Sequence, residues 1–414
     1  MIRSIREFVA REDVGITLPH EHVLHNIGAK VASTGSNAEL EIRFEDLIDY
    51  RRAPYAHDGR NLQLQKEDEA FRELEKLQEL GDSTLKSLVV DVTLPVEGRD
   101  VFVKERLNLA ARLKDLNLVS VTTFEIEKLN QEFYMGLSEQ EQSERVAKVL
   151  EAELMFGIES KGSVAFPGAM YQQIHSSTSG EFSSKEVVLL QGLALAQTRT
   201  NAPLYLSFSF DEIVNGANSW LEKYIRAWIR ALLDAGVDSK KLVVCHADRW
   251  CRGQAEGSGY EFLLELFGLG VSVLFDMVGL QLVEWVVKFV KTKPQYISQM
   301  LLSTNVHQRI QYRRYGGGGY TYLFEHFKQR LLRRGVTAAE WDQIVRANVV
   351  DLLAWYVPPE APPIPKNYLQ CSICSNYFEP IEGEYFTKFS FTYCSTKCLR
   401  RHSRQKFAPL PTKP

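Results

Sequence analysis

The stretch "GITLPHEHVLHN" (15–26) reads as a short apolar strand ending in His20 and His22, with His25 close behind. Side chains at i and i+2 of a strand project to one face, so these two imidazoles are placed to grip a single metal ion. The strand's apolar run is continuous rather than alternating, which is the habit of a parallel sheet buried on both faces. Its meaning therefore turns on whether the chain supplies more strands of this kind, and more ligands at their ends.

Seven further runs rich in β-branched and apolar residues follow. They are "LKSLVVDVTLP" (85–95), "NLVSVTTFEIE" (117–127), "GSVAFPGAM" (162–170) and "NAPLYLSFSF" (201–210), then "KKLVVCHADR" (240–249), "GVSVLFDMVG" (270–279) and "ISQMLLSTNV" (297–306). Amphipathic helical patterns such as 101–116 and 220–236 separate them. Strands alternating with helices imply a parallel sheet covered by helices. Eight such units over about 300 residues predict a closed (β/α)8 TIM barrel, whose chemistry gathers at the C-terminal ends of the strands. Those ends carry His20, His22, Asp91, Glu125, Ser207, His246, Asp248, Asp276 and Asn305.

The rest of the composition narrows the class. The 414 residues are 45% apolar and 24% charged, a balance suited to a globular protein with a sizeable core. A formal net charge of -3 leaves no overall footprint for nucleic acid or an anionic membrane. No run reaches the roughly 18 apolar residues of a membrane span, and the N-terminus is too charged for a signal peptide's apolar region. A cytoplasmic protein with no membrane partner is expected.

Four motifs in order resemble the phosphotriesterase-related proteins of the amidohydrolase superfamily. They are "GITLPHEHV", "VVDVTLPVEGRD" (89–100), "VVCHADR" (243–249) and "LLSTNVHQRIQYRRYGGGGY" (301–320). The resemblance implies a barrel over residues 1–356 that holds two divalent metals, usually zinc, with a bridging hydroxide as nucleophile. It carries His20, His22 and His246 over as ligands. It places the bridging acidic group of strand four on Ala169, or on Pro167 if shifted, the strand-five histidine on Ser207, and the strand-eight aspartate on Asn305. None of these replacements supplies the family's ligand, so His20, His22 and His246 are expected to be the remnant of a degraded metal site. His307, Cys245 or Asp276 are candidate additions to a one-metal site, although His307 reads more simply as a solvated loop residue. Asp91, Arg99 and Asp100 are expected to knit the strand-two loop together. Gly316 to Gly319 suit a sharp turn with positive φ.

Beyond a proline-rich linker, 357–368, comes the pattern C-x2-C-x19-C-x3-C-x3-H within 369–414. Paired cysteines about twenty residues apart, in a chain without an export signal, predict tetrahedral zinc rather than disulfides. Cys371, Cys374, Cys394 and Cys398 are the expected structural ligands, with His402 their neighbour. The module resembles treble-clef fingers of the FLZ and MYND kind, which implies a protein partner. From Lys397 onward the tail holds six Lys or Arg and no acid, which admits RNA as a lesser alternative.

Three functions follow as expectations. The first is a pseudoenzyme barrel that works as a scaffold through its zinc finger. The second is a zinc-dependent hydrolase of a small ester or amide metabolite with a remodelled site. The third is a nucleic-acid-binding adaptor.

Overall fold

A computed structural model describes residues 1–27, 41–55, 59–81, 84–175, 181–209, 218–357, 367–374, 377–383, 385–404 and 407. The chain divides into two compact units, Met1–Val357 and Pro358–Pro414. Most of the proline-rich linker, 358–366, lies outside the described residues.

In the first unit all eight predicted runs become strands of one sheet: β1 (Val14–Glu21), β2 (Lys86–Asp91), β3 (Leu116–Thr122), β4 (Pro167–His175), β5 (Leu204–Ser209), β6 (Leu242–Val244), β7 (Ser272–Phe275) and β8 (Met300–Leu302). Each is parallel to the next, in chain order from β1 to β8. The intervening helices are α1 (Glu67–Leu80), α2 (Val103–Arg112), α3 (Glu139–Phe156), α4 (Ser184–Thr200), α5 (Asn218–Asp234), α6 (Ser258–Gly268) and α7 (Leu282–Thr292).

The helices begin where their sequences say they should. Ser138 starts α3 and Ser183 starts α4 with reciprocal bonds to Glu141 and Glu186, each satisfying amides that the first turn leaves free. The acids Glu67, Asp68 and Glu69 open α1, favourable at the positive end of the helix dipole. Ala70, Leu74 and Leu77 of α1 recur on one stripe and face the core.

Two apolar layers result. The outer one packs helices on the sheet and contains the fully buried Trp228 and Trp285. The inner one fills the barrel below its mouth with Val90, Val121, Ala169, Tyr205, Leu274 and Leu301. At the opposite end from the mouth, the Trp355 indole donates to the Gly168 carbonyl at 2.7 Å. A Cβ on Gly168 would lie 2.2 Å from the Arg3 carbonyl oxygen, so only glycine allows that approach.

The barrel closes between β1 and β8 by side chains more than by ladder bonds. The buried Glu21 Oε1 accepts from Ser303 Oγ (2.7 Å), Thr304 N (2.7 Å), Thr304 Oγ1 (2.7 Å) and Asn305 N (3.1 Å), while Oε2 accepts from Val306 N (2.6 Å). His22 N also donates to the Val306 carbonyl at 3.2 Å. Glu21, between the two motif histidines, is thus the latch of the barrel.

Asp91, Arg99 and Asp100 knit the strand-two loop as expected, with Arg106 as a further partner. Asp91 pairs with Arg106 of α2, both buried, and Arg106 also donates to the carbonyls of Arg99 and Leu24. Arg99 pairs with Asp100 at 2.6 Å. In the glycine loop, Gly316 has φ +79°, as expected of a sharp turn, and a Cβ on Gly317 would lie 2.1 Å from the Gln311 carbonyl oxygen.

Among its described residues the second unit has two antiparallel pairs, β9 (Leu369–Gln370) with β10 (Tyr377–Phe378) and β11 (Phe386–Lys388) with β12 (Phe391–Tyr393), followed by one helix, Thr396–Arg404.

Among the described residues no helix is long and apolar enough to cross a membrane.

Candidate functional site

The strand ends bring His20, His22, His25, His246 and His307 into one chain of ring contacts. The centroid separations are 5.0 Å for His20–His246, 6.1 Å for His20–His22, 5.4 Å for His22–His25 and 6.1 Å for His22–His307.

Asp276, just past β7 and fully buried, organises one end of this chain. Its Oδ1 accepts from His246 Nδ1 at 2.9 Å. Its Oδ2 accepts from the His246 backbone N–H at 2.9 Å and lies 3.1 Å from His20 Nδ1. Burial alone would raise the carboxyl, but His246 and His20 hold it well below the usual carboxylate range. The carboxylate fixes Nδ1 of His246 as the donor, so Nε2 is left as an acceptor. Ser207 Oγ lies 3.0 Å from His246 Nε2, and the Tyr171 hydroxyl lies 3.4 Å from His20 Nε2. His246 has a left-handed backbone (φ 59°) just past the end of β6. Nearby, Asp248 Oδ1 accepts from Asp276 N and Met277 N, both at 3.3 Å. Burial, then the Asp276 charge, pushes the Asp248 carboxyl up to about 7.

The other end of the chain is held by different partners. His22 Nδ1 lies 3.2 Å from Thr93 Oγ1, whose own proton goes to Asp91 Oδ1 at 2.6 Å. His307 donates from Nδ1 to the Asn305 carbonyl at 2.7 Å, and its Nε2 lies 2.9 Å from the Tyr55 hydroxyl. His307 is therefore a buried, bonded residue rather than the solvated loop residue its sequence suggested. Burial pushes His25 down to about 3 and His307 down to about 4. Burial and the neighbouring histidines also depress His22 well below its ordinary value.

As a metal centre this arrangement differs from the sequence expectation. His20, His246 and Asp276 bring donor atoms within 4.8 Å of one another, and His22 is not part of that group. His20 and His22 meet different partners, Asp276 and Tyr171 for the first and Thr93 for the second. Ala169 lies in the apolar interior, and the strand-four side chain that reaches His20 is Tyr171, two residues further along the same face. Asn305 is 6% exposed, has φ 46°, and its side-chain oxygen has no partner among the described residues. The hydroxyls of Tyr171 and Ser207 lie beside the Nε2 atoms of His20 and His246. Ser207 was legible only as a weak ligand. Tyr171 was missed, although strand parity from Ala169 points to it.

In the second unit the sulfur atoms of Cys371, Cys374, Cys394 and Cys398 all lie within 4.8 Å of one another. The Cys374–Cys394 and Cys394–Cys398 separations are 3.6 and 3.8 Å. Four thiolates at about 2.3 Å around one tetrahedral zinc stand about 3.8 Å apart, so this donor set fits the ion. His402 lies outside the sulfur cluster; its Nδ1 is 2.9 Å from the Tyr393 hydroxyl, beneath the knuckle.

Comparison with known proteins places both units. A Vms1-associating treble clef domain matches residues 366–410. A phosphotriesterase-related protein of Nematostella vectensis is 24% identical over 371 residues, covering 84% of this chain and 97% of that protein. An N-acetyltaurine hydrolase of Rattus norvegicus is 25% identical over 368 residues, covering 84% and 96%. Among solved structures, a resiniferatoxin-binding protein from Rhodobacter sphaeroides superposes with a TM-score of 0.66 at 21% identity, covering 85% of this chain and 94% of that one. A phosphotriesterase homology protein from Escherichia coli, complexed with phosphate in its active site, gives 0.59 at 18% identity, covering 82% and 99%. The phosphotriesterase family profile itself matches residues 1–353, and the chain belongs to that family.

Proposed function

We propose that this protein is a pseudoenzyme with respect to two-metal hydrolysis, and that it works as a scaffold whose treble-clef module, folded around one zinc, docks a protein partner. The observation that carries the reading is the donor set of the barrel. One carboxylate, Asp276, stands between two histidines, whose remaining nitrogens meet hydroxyls. Two cations need an anion between them, and the positions that the family resemblance assigns to it and its supporting ligands hold Ala169, Ser207 and Asn305. The zinc module is supported by its four converging thiols, and the partner by the kind of domain it matches.

A second reading keeps a hydrolase. His20, His246 and Asp276 are close enough to share one ion, which meets the minimum of three protein ligands for a catalytic zinc. Relatives of the barrel bear a hydrolase's name, so a small N-acyl or ester substrate belongs with this reading.

Metal content decides between them. The full chain purified with zinc is expected to hold one equivalent, and Cys371→Ser with Cys394→Ser to hold none. If that double variant keeps zinc, and His20→Ala with His246→Ala then removes it, the first reading falls.

A further inference from the structure

The same mouth holds a second reactive geometry. Ser207 Oγ stands 3.0 Å from His246 Nε2, and His246 Nδ1 stands 2.9 Å from Asp276 Oδ1. We propose that Ser207, His246 and Asp276 form a metal-independent acyl-transfer site, with Ser207 as nucleophile, for small carboxylic esters. The inference rests on the barrel being free of metal, as proposed above, because an ion held by His20, His246 and Asp276 would take the ring out of the relay.

A nucleophile, a base within hydrogen-bond reach, and a third group orienting the base are the geometric signature of this chemistry, whatever the fold. Each link here is held in place. Asp276 Oδ2 accepts the backbone N–H of His246, so the carboxylate grips main chain and ring together. Asp276 is a positioning residue: it fixes the tautomer in which His246 Nε2 accepts the Ser207 proton. The Tyr171 hydroxyl neighbours Ser207, which favours its ionised form. Tyr171 is buried beside His20 and offers one neutral O–H donor next to the nucleophile, where negative charge develops on an attacked carbonyl oxygen.

Gln173, the register partner of Ser207 across β4 and β5, lines a neighbouring cavity of about 190 Å³ together with Leu94, Phe124, Gln172 and His175, and Ser207 is not among its lining residues.

The step balances without a cofactor. Ser207 Oγ bonds to the carbonyl carbon as its proton passes to His246 Nε2, and the carbonyl electron pair moves onto oxygen. The pair returns, the ester C–O bond breaks, and the leaving alkoxide takes the proton from His246. Water then attacks the acyl-serine with His246 again as base, releasing the carboxylic acid and restoring Ser207.

The test uses the full chain, treated with chelator, and a fluorophosphonate that reports serine nucleophiles. Mass spectrometry is expected to find one equivalent of adduct on the peptide containing Ser207. Ser207→Ala should abolish it, and Tyr171→Phe should slow it by about 100-fold. Ser207→Cys should transfer reactivity to iodoacetamide, which keeps the test open if the alanine variant folds poorly. With p-nitrophenyl acetate, Asp276→Asn should lower kcat by up to about 10⁴-fold while KM holds, a split that a general loss of packing does not produce. No adduct with or without zinc, an adduct on another residue, or equal labelling of Ser207→Ala overturns this proposal alone. Ser207 labelling that appears only when zinc is restored overturns it together with the metal-free reading.

Discussion

Replacing Glu21 tests how the barrel is closed. Its carboxylate collects five donors from residues 303–306, two hydroxyls and three backbone N–H groups. In Glu21→Ala the hydroxyls of Ser303 and Thr304 can turn to other acceptors, but the amides of Thr304, Asn305 and Val306 cannot. A buried donor left without a partner costs about 1–3 kcal/mol, so three of them predict a loss of about 3–9 kcal/mol. Glu21→Gln keeps four of the five bonds if its oxygen takes the Oε1 place. Its NH2 then faces the Val306 N–H, one lost bond to a charged acceptor, for about 2 kcal/mol. Urea unfolding followed by tryptophan fluorescence should therefore rank wild type above Gln above Ala. Amide exchange at Thr304, Asn305 and Val306 should quicken in the same order. An alanine variant within about 0.5 kcal/mol of wild type, or a glutamine variant worse than alanine, refutes the latch. Acid should not spring it. Burial raises the Glu21 carboxyl against the pull of Val306, Thr304 and Ser303. A carboxyl raised in the folded state binds its proton more tightly there, so its contribution is not lost as pH falls.

The histidines behave oppositely. His25 and His307 are depressed to about 3 and about 4, so the folded protein holds fewer protons on them than the unfolded chain does. Their stability is present above about 6.5 and is lost as pH falls below it; at pH 5 each forfeits about 2 kcal/mol, and a flat stability profile between pH 7 and 5 would count against their neutral, buried state. Arg106→Met should cost about 3–5 kcal/mol, because it strands the buried Asp91 carboxylate, and adding Asp91→Asn should restore part of the loss in the same unfolding assay.

Much of the fold was legible because the barrel repeats one local pattern eight times, and each apolar run became a strand in its expected place. The strand ends were less legible. β8 stops at Leu302, and the polar residues after it serve Glu21 instead of continuing the ladder. At the site, His20 and His246 could be found from spacing and strand position. The roles of their neighbours could not, because each depends on partners far away in sequence. Nothing local to His307 announces Tyr55, 252 positions earlier, as its partner. Arg106 is an ordinary helix residue until β2 carries Asp91 beneath it. The middle letter of "HEH" was read past for the same reason: its five donors lie more than 280 positions away in the sequence.

Asp276 has only two oxygens: Oδ1 takes the ring of His246, and Oδ2 takes that residue's backbone N–H while facing His20 Nδ1 at 3.1 Å. The carboxylate is planar and stiff, so turning it for one ring turns it for the other. The two imidazoles are yoked like the pans of a balance. Whatever occupies Ser207 is then also weighed at His20, and through its Nε2 at Tyr171. The His20 ring resonances are therefore a reporter, placed by the fold itself, for events at a hydroxyl on the far side of Asp276.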